Sequence, residues 1–81
     1  MKQQEILAGV IETIQGIAPE VEADALVAGK RLRSQVDLDS MDWLNVIIGL
    51  HERFQVEIPE SDYAQLTSLD AIVSYLAARQ A

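Results

Sequence analysis

The sequence predicts an all-α fold, a small four-helix bundle with three longer helices, one short helix and a long first loop. Three observations predict it. Apolar residues recur at spacings of three and four in three separate stretches, capping or breaking residues stand at the ends of those stretches, and strand-like alternation is nowhere sustained. The chain has 81 residues, so a single domain over residues 1–81 is expected. Its core can stabilise it by only about 3–5 kcal/mol. That margin is narrow for a buried multi-residue active site, so a carrier or binding module is expected rather than an enzyme, and no catalytic residue is assigned.

The elements follow in order. Ile6, Leu7, Val10, Ile11, Ile14 and Ile17 lay one apolar stripe on a helix over residues 2–17, which Ala18-Pro19 stops. Residues 18–38 read as a long connection, with Gly29 and the basic run Lys30-Arg31-Leu32-Arg33 in it. Val21, Leu26, Val27, Leu32, Val36 and Leu38 are its expected anchors onto the core. Such a length is unusual in a compact domain, and long ordered loops tend to be functional.

The second helix is expected over Ser40–Phe54, with Asp39 as its N-cap and Asp42 in the position of a capping box. Asp42, Asn45, Gly49, Glu52 and Arg53 project onto a narrow polar strip. The remaining arc holds Met41, Trp43, Leu44, Val46, Ile47, Ile48, Leu50 and Phe54, interrupted only by His51. This arc is wider than one buried face requires, so part of it must face another molecule, a ligand or an extra layer. A short helix is expected over residues 59–64, with Pro59 in its first turn and acids near its positive end. Thr67-Ser68-Leu69-Asp70 has the form of a second capping box, opening a last helix whose stripe is Leu69, Ile72, Val73, Leu76 and Tyr75. Leu44, Ile47, Leu50, Phe54, Ile58, Tyr63, Leu66 and Ile72 are the candidate core.

Charge and composition narrow the function. With 13 acidic against 6 basic residues the net charge is −7, which repels nucleic-acid phosphates and anionic lipid and favours basic protein partners. The chain has no cysteine, hence no disulfide framework or thiolate metal site. Met1-Lys2-Gln3-Gln4-Glu5 lacks the apolar core of a signal peptide, and no apolar run is long enough to span a bilayer, so a soluble, cytoplasmic protein is expected; it is also expected to be a monomer. A calcium loop at Asp37-x-Asp39 fails: Met41 takes the third ligand position, Asp42 replaces the required glycine, and Ile48 falls where the bidentate glutamate belongs. His51 has no second histidine or cysteine beside it, so no metal site is assigned. The basic run is expected to neutralise the protein's own carboxylates or to solvate the loop.

Asp39-Ser40-Met41-Asp42 is the candidate site. The first N–H groups of a helix lack intrahelical acceptors and the dipole is positive there, so a phosphodiester on the Ser40 hydroxyl is electrostatically tolerated. The motif, the hydrophobic helix after it and Phe54-x-Val56-Glu57-Ile58-Pro59 together resemble the acyl carrier proteins, and the resemblance covers the whole chain. It implies a carrier of acyl groups, held as thioesters on a 4'-phosphopantetheine arm that Ser40 receives from coenzyme A. It also implies partners: a phosphopantetheinyl transferase, and an acyl-activating ligase, acyltransferase or ketosynthase. Asp39, Met41, Asp42, Asn45, Ile48 and Glu52 are the candidate docking residues, with Met41 and Ile48 expected to be exposed.

Leu38 stands where fatty-acid carriers commonly have glycine or alanine, Met41 replaces their usual leucine, and Asn45, His51 and Arg53 occupy sites often acidic in them. These departures imply a specialised carrier in a fatty-acid-like, polyketide, lipid or other biosynthetic pathway. A peptidyl carrier of a nonribosomal system and a non-carrier helical adaptor are the alternatives.

Overall fold

The computed structural model describes residues 2–80 and places helix α1 at Gln3–Ile17. Ile6, Val10 and Ile14, spaced by four, are fully buried, and Leu7, Ile11 and Ile17 pack at the edge of the same core. Proline has no N–H and disfavours helical backbone in the residue before it. Ala18 accordingly leaves the helix at φ −124°, ψ 80°, its own N–H still donating to the Ile14 carbonyl at 2.8 Å.

The connection over residues 18–38 contains two short elements that periodicity does not reveal, a 3₁₀ turn at Ala23–Ala25 and the one-turn helix α2 at Leu32–Gln35. Gln35 organises the loop. Its Oε1 accepts from the Val27 N–H at 2.6 Å, and its Nε2 donates to the Val27 and Lys30 carbonyls at 2.9 and 3.0 Å. Two backbone bonds tie the loop to the far end of the chain, Leu32 N–H to the Thr67 carbonyl at 2.8 Å and Asp70 N–H to the Ala28 carbonyl at 3.1 Å. Among the expected anchors, Leu32, Val36 and Leu38 are buried and Val21 and Leu26 half-buried. Val27 is not an anchor: it is 48% exposed, because the Gln35 amide holds its backbone on both sides and leaves the side chain outside.

Helix α3 runs over Ser40–Phe54, as expected. The Asp39 carboxylate accepts from the Asp42 N–H at 2.8 Å, one half of a capping box. Val46, Ile47, Leu50 and Phe54 are buried against α1 and α4. Gly49 and Arg53, on the polar strip with Asp42, Asn45 and Glu52, stand on its α1 side, Gly49 against Thr13 and Arg53, still exposed, beside Glu12. A Cβ on Gly49 would stand 2.7 Å from Thr13 Cγ2, and one on Gly9 would stand 2.6 Å from Phe54 Cζ. These two glycines let the backbones of α1 and α3 approach, and Arg53 closes the seam by pairing with Glu12. Gln55 ends α3 in the left-handed region at φ 55°, a conformation that costs a non-glycine residue about 1 kcal/mol. Three side chains hold the reversal: Gln55 Nε2 donates to the Glu52 carbonyl, His51 Nδ1 to the Val56 carbonyl and Gln80 Nε2 to the Phe54 carbonyl, at 2.6, 2.8 and 2.8 Å.

The short helix is a 3₁₀ helix at Glu60–Gln65, with Pro59 just outside it in extended backbone and not in its first turn. Helix α4 spans Leu69–Arg79 and is capped by Ser68, whose hydroxyl accepts from the Ala71 N–H at 3.1 Å. The cap expected at Thr67 is displaced by one residue because the Thr67 carbonyl is committed to Leu32. Leu69, Ile72, Tyr75 and Leu76 are buried and Val73 half-buried. The Tyr75 hydroxyl donates to Asp62 at 2.5 Å, and Arg79 stacks 3.6 Å from the Tyr75 ring while pairing with Asp62 at 3.6 Å, so α4 holds the 3₁₀ helix.

Burial of the ring, then the hydrogen bond to Asp62, pushes the Tyr75 phenol above its ordinary 10.0. The folded state therefore keeps this proton at a pH where the unfolded chain has lost it. The associated stability is present below pH about 10 and lost as pH rises through the higher folded value. Tyr75→Phe is expected to lower stability at pH 7 by about 1–2 kcal/mol and to flatten its decline as pH rises above about 10, which urea titrations in the alkaline range measure. A decline of equal slope in both proteins would show that Tyr75 contributes none of it.

Candidate functional site

Ser40 is the first residue of α3, and it is exposed. Asp39 caps the helix in its place, so among the described residues nothing holds the Ser40 hydroxyl in a hydrogen bond. The cap satisfies the Asp42 N–H and the first helical bond runs from the Trp43 N–H to the Asp39 carbonyl at 2.9 Å, which leaves the Ser40 and Met41 N–H groups without helical acceptors. An exposed nucleophilic oxygen thus stands beside two open donors at the positive end of a 15-residue helix. Asp37, Asp39 and Asp42 oppose a phosphate there. Asp37 and Asp39 are exposed and Asp42 half-buried, so solvent screens most of the repulsion while the donors act at contact distance.

The wide apolar arc of α3 divides in two. Val46, Ile47, Leu50 and Phe54 enter the core with Trp43 half-buried beside them, while Met41, Leu44 and Ile48 stay outside at 70%, 41% and 46% exposure. Exposure of Met41 and Ile48 was expected. Leu44 was assigned to the core, and the correction follows from helix geometry: positions 41, 44 and 48 are related by three and four residues and share one stripe. Asn45 and Glu52 flank that stripe in solvent and Asp39 stands at its head. Of the candidate docking residues Met41, Asn45, Ile48 and Glu52 therefore share one outward face of α3, whereas Asp42 is half-buried and stands about 100° around the helix from Met41, on the side of Gly49. Of the other core candidates, Ile47, Leu50, Phe54, Leu66 and Ile72 are buried, and Ile58 and Tyr63 pack half-buried at the edge.

Two clefts flank α3 on the side of the 3₁₀ helix, and Tyr63 lines both. One, of about 210 Å³, is bounded by Arg31, Arg33, Trp43, Tyr63, Leu66 and Thr67. The other, of about 240 Å³, is bounded by Ile47, Ile48, His51, Glu57, Ile58 and Tyr63. Sequence reasoning missed the place of Arg31 and Arg33 beside Trp43. The bond from Leu32 to Thr67 that brings them there joins residues 35 positions apart and is made by backbone atoms, so no side-chain pattern announces it.

Known proteins with similar sequence and structure fit this geometry. A family model of the phosphopantetheine attachment site matches residues 5–76. The chain is 35% identical to an acyl carrier protein of Renibacterium salmoninarum, over 96% of its own length and 95% of that protein's. It is 28% identical to a meromycolate extension acyl carrier protein of Mycolicibacterium aurum, over 91% of this chain and 75% of that one. Its fold superimposes with a TM-score of 0.86 on the solution structure of a candidate acyl carrier protein from Anaplasma phagocytophilum, at 31% identity, covering 100% of this chain and 94% of the other.

Proposed function

The chain belongs to the acyl carrier proteins, the family of the phosphopantetheine attachment site, and from that premise we propose that Ser40 is its attachment residue. The cofactor of the family, covalently bound 4'-phosphopantetheine, supplies a terminal thiol that holds an acyl group as a thioester. The observation that carries the assignment to Ser40 is its free, exposed hydroxyl at the head of α3, with the capping role taken by Asp39.

In the attachment step the Ser40 Oγ attacks the phosphorus that bears the pantetheine unit of coenzyme A. A new Oγ–P ester bond forms, the pyrophosphate P–O bond breaks, adenosine 3',5'-bisphosphate leaves, and the hydroxyl proton passes to a base of the transferase. The Ser40 and Met41 N–H groups and the helix dipole would favour a phosphodiester held there, a contribution of about 0.3–1 kcal/mol at an exposed helix terminus. The carrier contributes the attachment point and a docking face, and the bond-making chemistry resides in partner enzymes. We read those partners as a phosphopantetheinyl transferase and an acyl-activating ligase, acyltransferase or ketosynthase of a specialised pathway. They would meet a monomeric carrier over Met41, Leu44 and Ile48, with Asp39, Asp42 and Glu52 steering basic surfaces and Asn45 at the rim. Among the described residues no helix is long and apolar enough to cross a membrane. A cytoplasmic carrier fits that reading.

Intact-protein mass after incubation with coenzyme A and a broad-specificity phosphopantetheinyl transferase tests the assignment. The parent is expected to gain one phosphopantetheine and the Ser40→Ala protein none, while both keep the same helical circular dichroism because Asp39 still caps α3. Equal loading of Ser40→Ala would sink the assignment.

A further inference from the structure

We propose that the cleft lined by Arg31, Arg33, Trp43, Tyr63, Leu66 and Thr67 receives a short acyl group ending in a carboxylate, and that Arg31 and Arg33 select for that charge. The inference rests on Ser40 as the attachment residue. Trp43 is three positions after Ser40 on α3, and residues so spaced have Cβ atoms about 5–6 Å apart, so the cleft wall begins within one turn of the attachment point.

The charge argument comes from the ion pairs. Arg53 pairs with Glu12 and Arg79 with Asp62, whereas among the described residues Arg31 and Arg33 pair with no carboxylate, although acids outnumber bases 13 to 6. Of the two roles expected for the basic run, neutralising the protein's own carboxylates or solvating the loop, the first therefore does not account for these two residues. Their placement is built into the fold. Arg31 bridges Ser68 through its backbone, Leu32 between the two arginines is fully buried, and the Leu32 N–H is bonded to the Thr67 carbonyl. Lining the same cleft as the arginines are Trp43, Tyr63 and Leu66, whose rings and isobutyl group suit a methylene chain. A volume of about 210 Å³ lies below the roughly 300–1,000 Å³ of pockets that hold drug-sized ligands, which favours a cargo of a few carbons. A carboxylate at its far end would meet guanidinium groups able to bind it bidentately. A neutral chain of the same length would leave them in water.

Glutaryl and pentanoyl groups have the same number of carbons and differ in the terminal carboxylate. Apo protein is loaded by a broad-specificity transferase from glutaryl-coenzyme A, pentanoyl-coenzyme A or coenzyme A itself, and each product is verified by intact mass. The Trp43 indole N–H and arginine Nε–H resonances are then recorded. The expected result is a displacement of these resonances in the glutaryl form, relative to the other two, that is lost in the Arg31→Gln/Arg33→Gln protein. It should also be lost at about 1 M salt, where the screening length falls to about 3 Å. Three results would overturn the inference while Ser40 stands: equal displacement by pentanoyl, showing an apolar cleft without charge selection; equal displacement in the unacylated form, showing that the arginines hold the phosphate of the arm; or a displacement that survives both glutamines. Failure to load, visible in the mass before any spectrum is taken, overturns the Ser40 assignment and the inference together.

Discussion

Leu32→Ala is expected to lower the unfolding free energy by about 3 kcal/mol, within the roughly 2–5 kcal/mol that buried Leu→Ala truncations cost. Leu32 is fully buried although it lies in the long connection, and it packs in the same core as Ile6, Leu50, Ile72 and Leu76. Truncation removes its transfer energy and leaves a cavity between α1, α3 and α4 that cannot collapse fully. The backbone around it is pinned by the bond to Thr67 and the Arg31–Ser68 bridge. In a domain whose core supplies only about 3–5 kcal/mol, one such loss is a large share of the total. Val27→Ala, five residues earlier in the same connection, is expected to cost under about 0.5 kcal/mol because Val27 is already in solvent. Urea midpoints of the two variants, followed by circular dichroism, check the contrast. Equal costs would mean that Leu32 does not anchor the connection.

That contrast also shows which part of the fold was legible in the sequence. Helices α1, α3 and α4 carry their own signals, a stripe repeating every three or four residues and a cap or breaker at an end, and the limits of α1 and α3 and the start of α4 fall within a residue or two of those expected. The connection has no period. Its course depends on one glutamine side chain, Gln35, imitating a backbone partner for Val27 and Lys30, and on backbone bonds to residues 35 and 42 positions away. Propensity cannot tell Leu32, which is buried, from Val27, which is not. The contact of the polar strip with α1 was hidden for a related reason. Projection of α3 alone marks Gly49 and Arg53 as polar, and only the packed pair of helices shows that Gly49 lies against Thr13 of α1 and that Arg53 meets Glu12 from that helix. At the candidate site Ser40 was legible because a capped helix start is a local motif, whereas the cleft beside Trp43 exists only once the connection has folded back onto Thr67.

Replacing Met41, Leu44 and Ile48 together by serine is expected to lower kcat/KM of an acyl-transferring partner for the loaded carrier by roughly a hundredfold. These side chains are 70%, 41% and 46% exposed in the free protein and would bury apolar area in a docked complex. At about 25 cal/mol per Å², burial on the order of 1 kcal/mol apiece sums to about 3 kcal/mol, and each 1.4 kcal/mol is tenfold in affinity. Binding sacrifices rotational and side-chain freedom as well, so the apolar stripe has to exceed that cost, and the surrounding charges cannot do so from solvent. The fold should hardly notice: surface substitutions away from caps and cores stay within about 0.5 kcal/mol each, and none of the three residues reaches the core. Glu52→Lys is the complementary variant. Its charge lies at the rim, so it should slow association, more at low salt than at high, while leaving dissociation of the complex nearly unchanged. The two variants separate the two physical roles on one helix face, since loss of the apolar stripe acts on the dissociation rate and loss of the charge on the encounter rate. A triple-serine carrier that keeps its thermal midpoint and is still processed at the parental rate would move the docking surface off this face of α3.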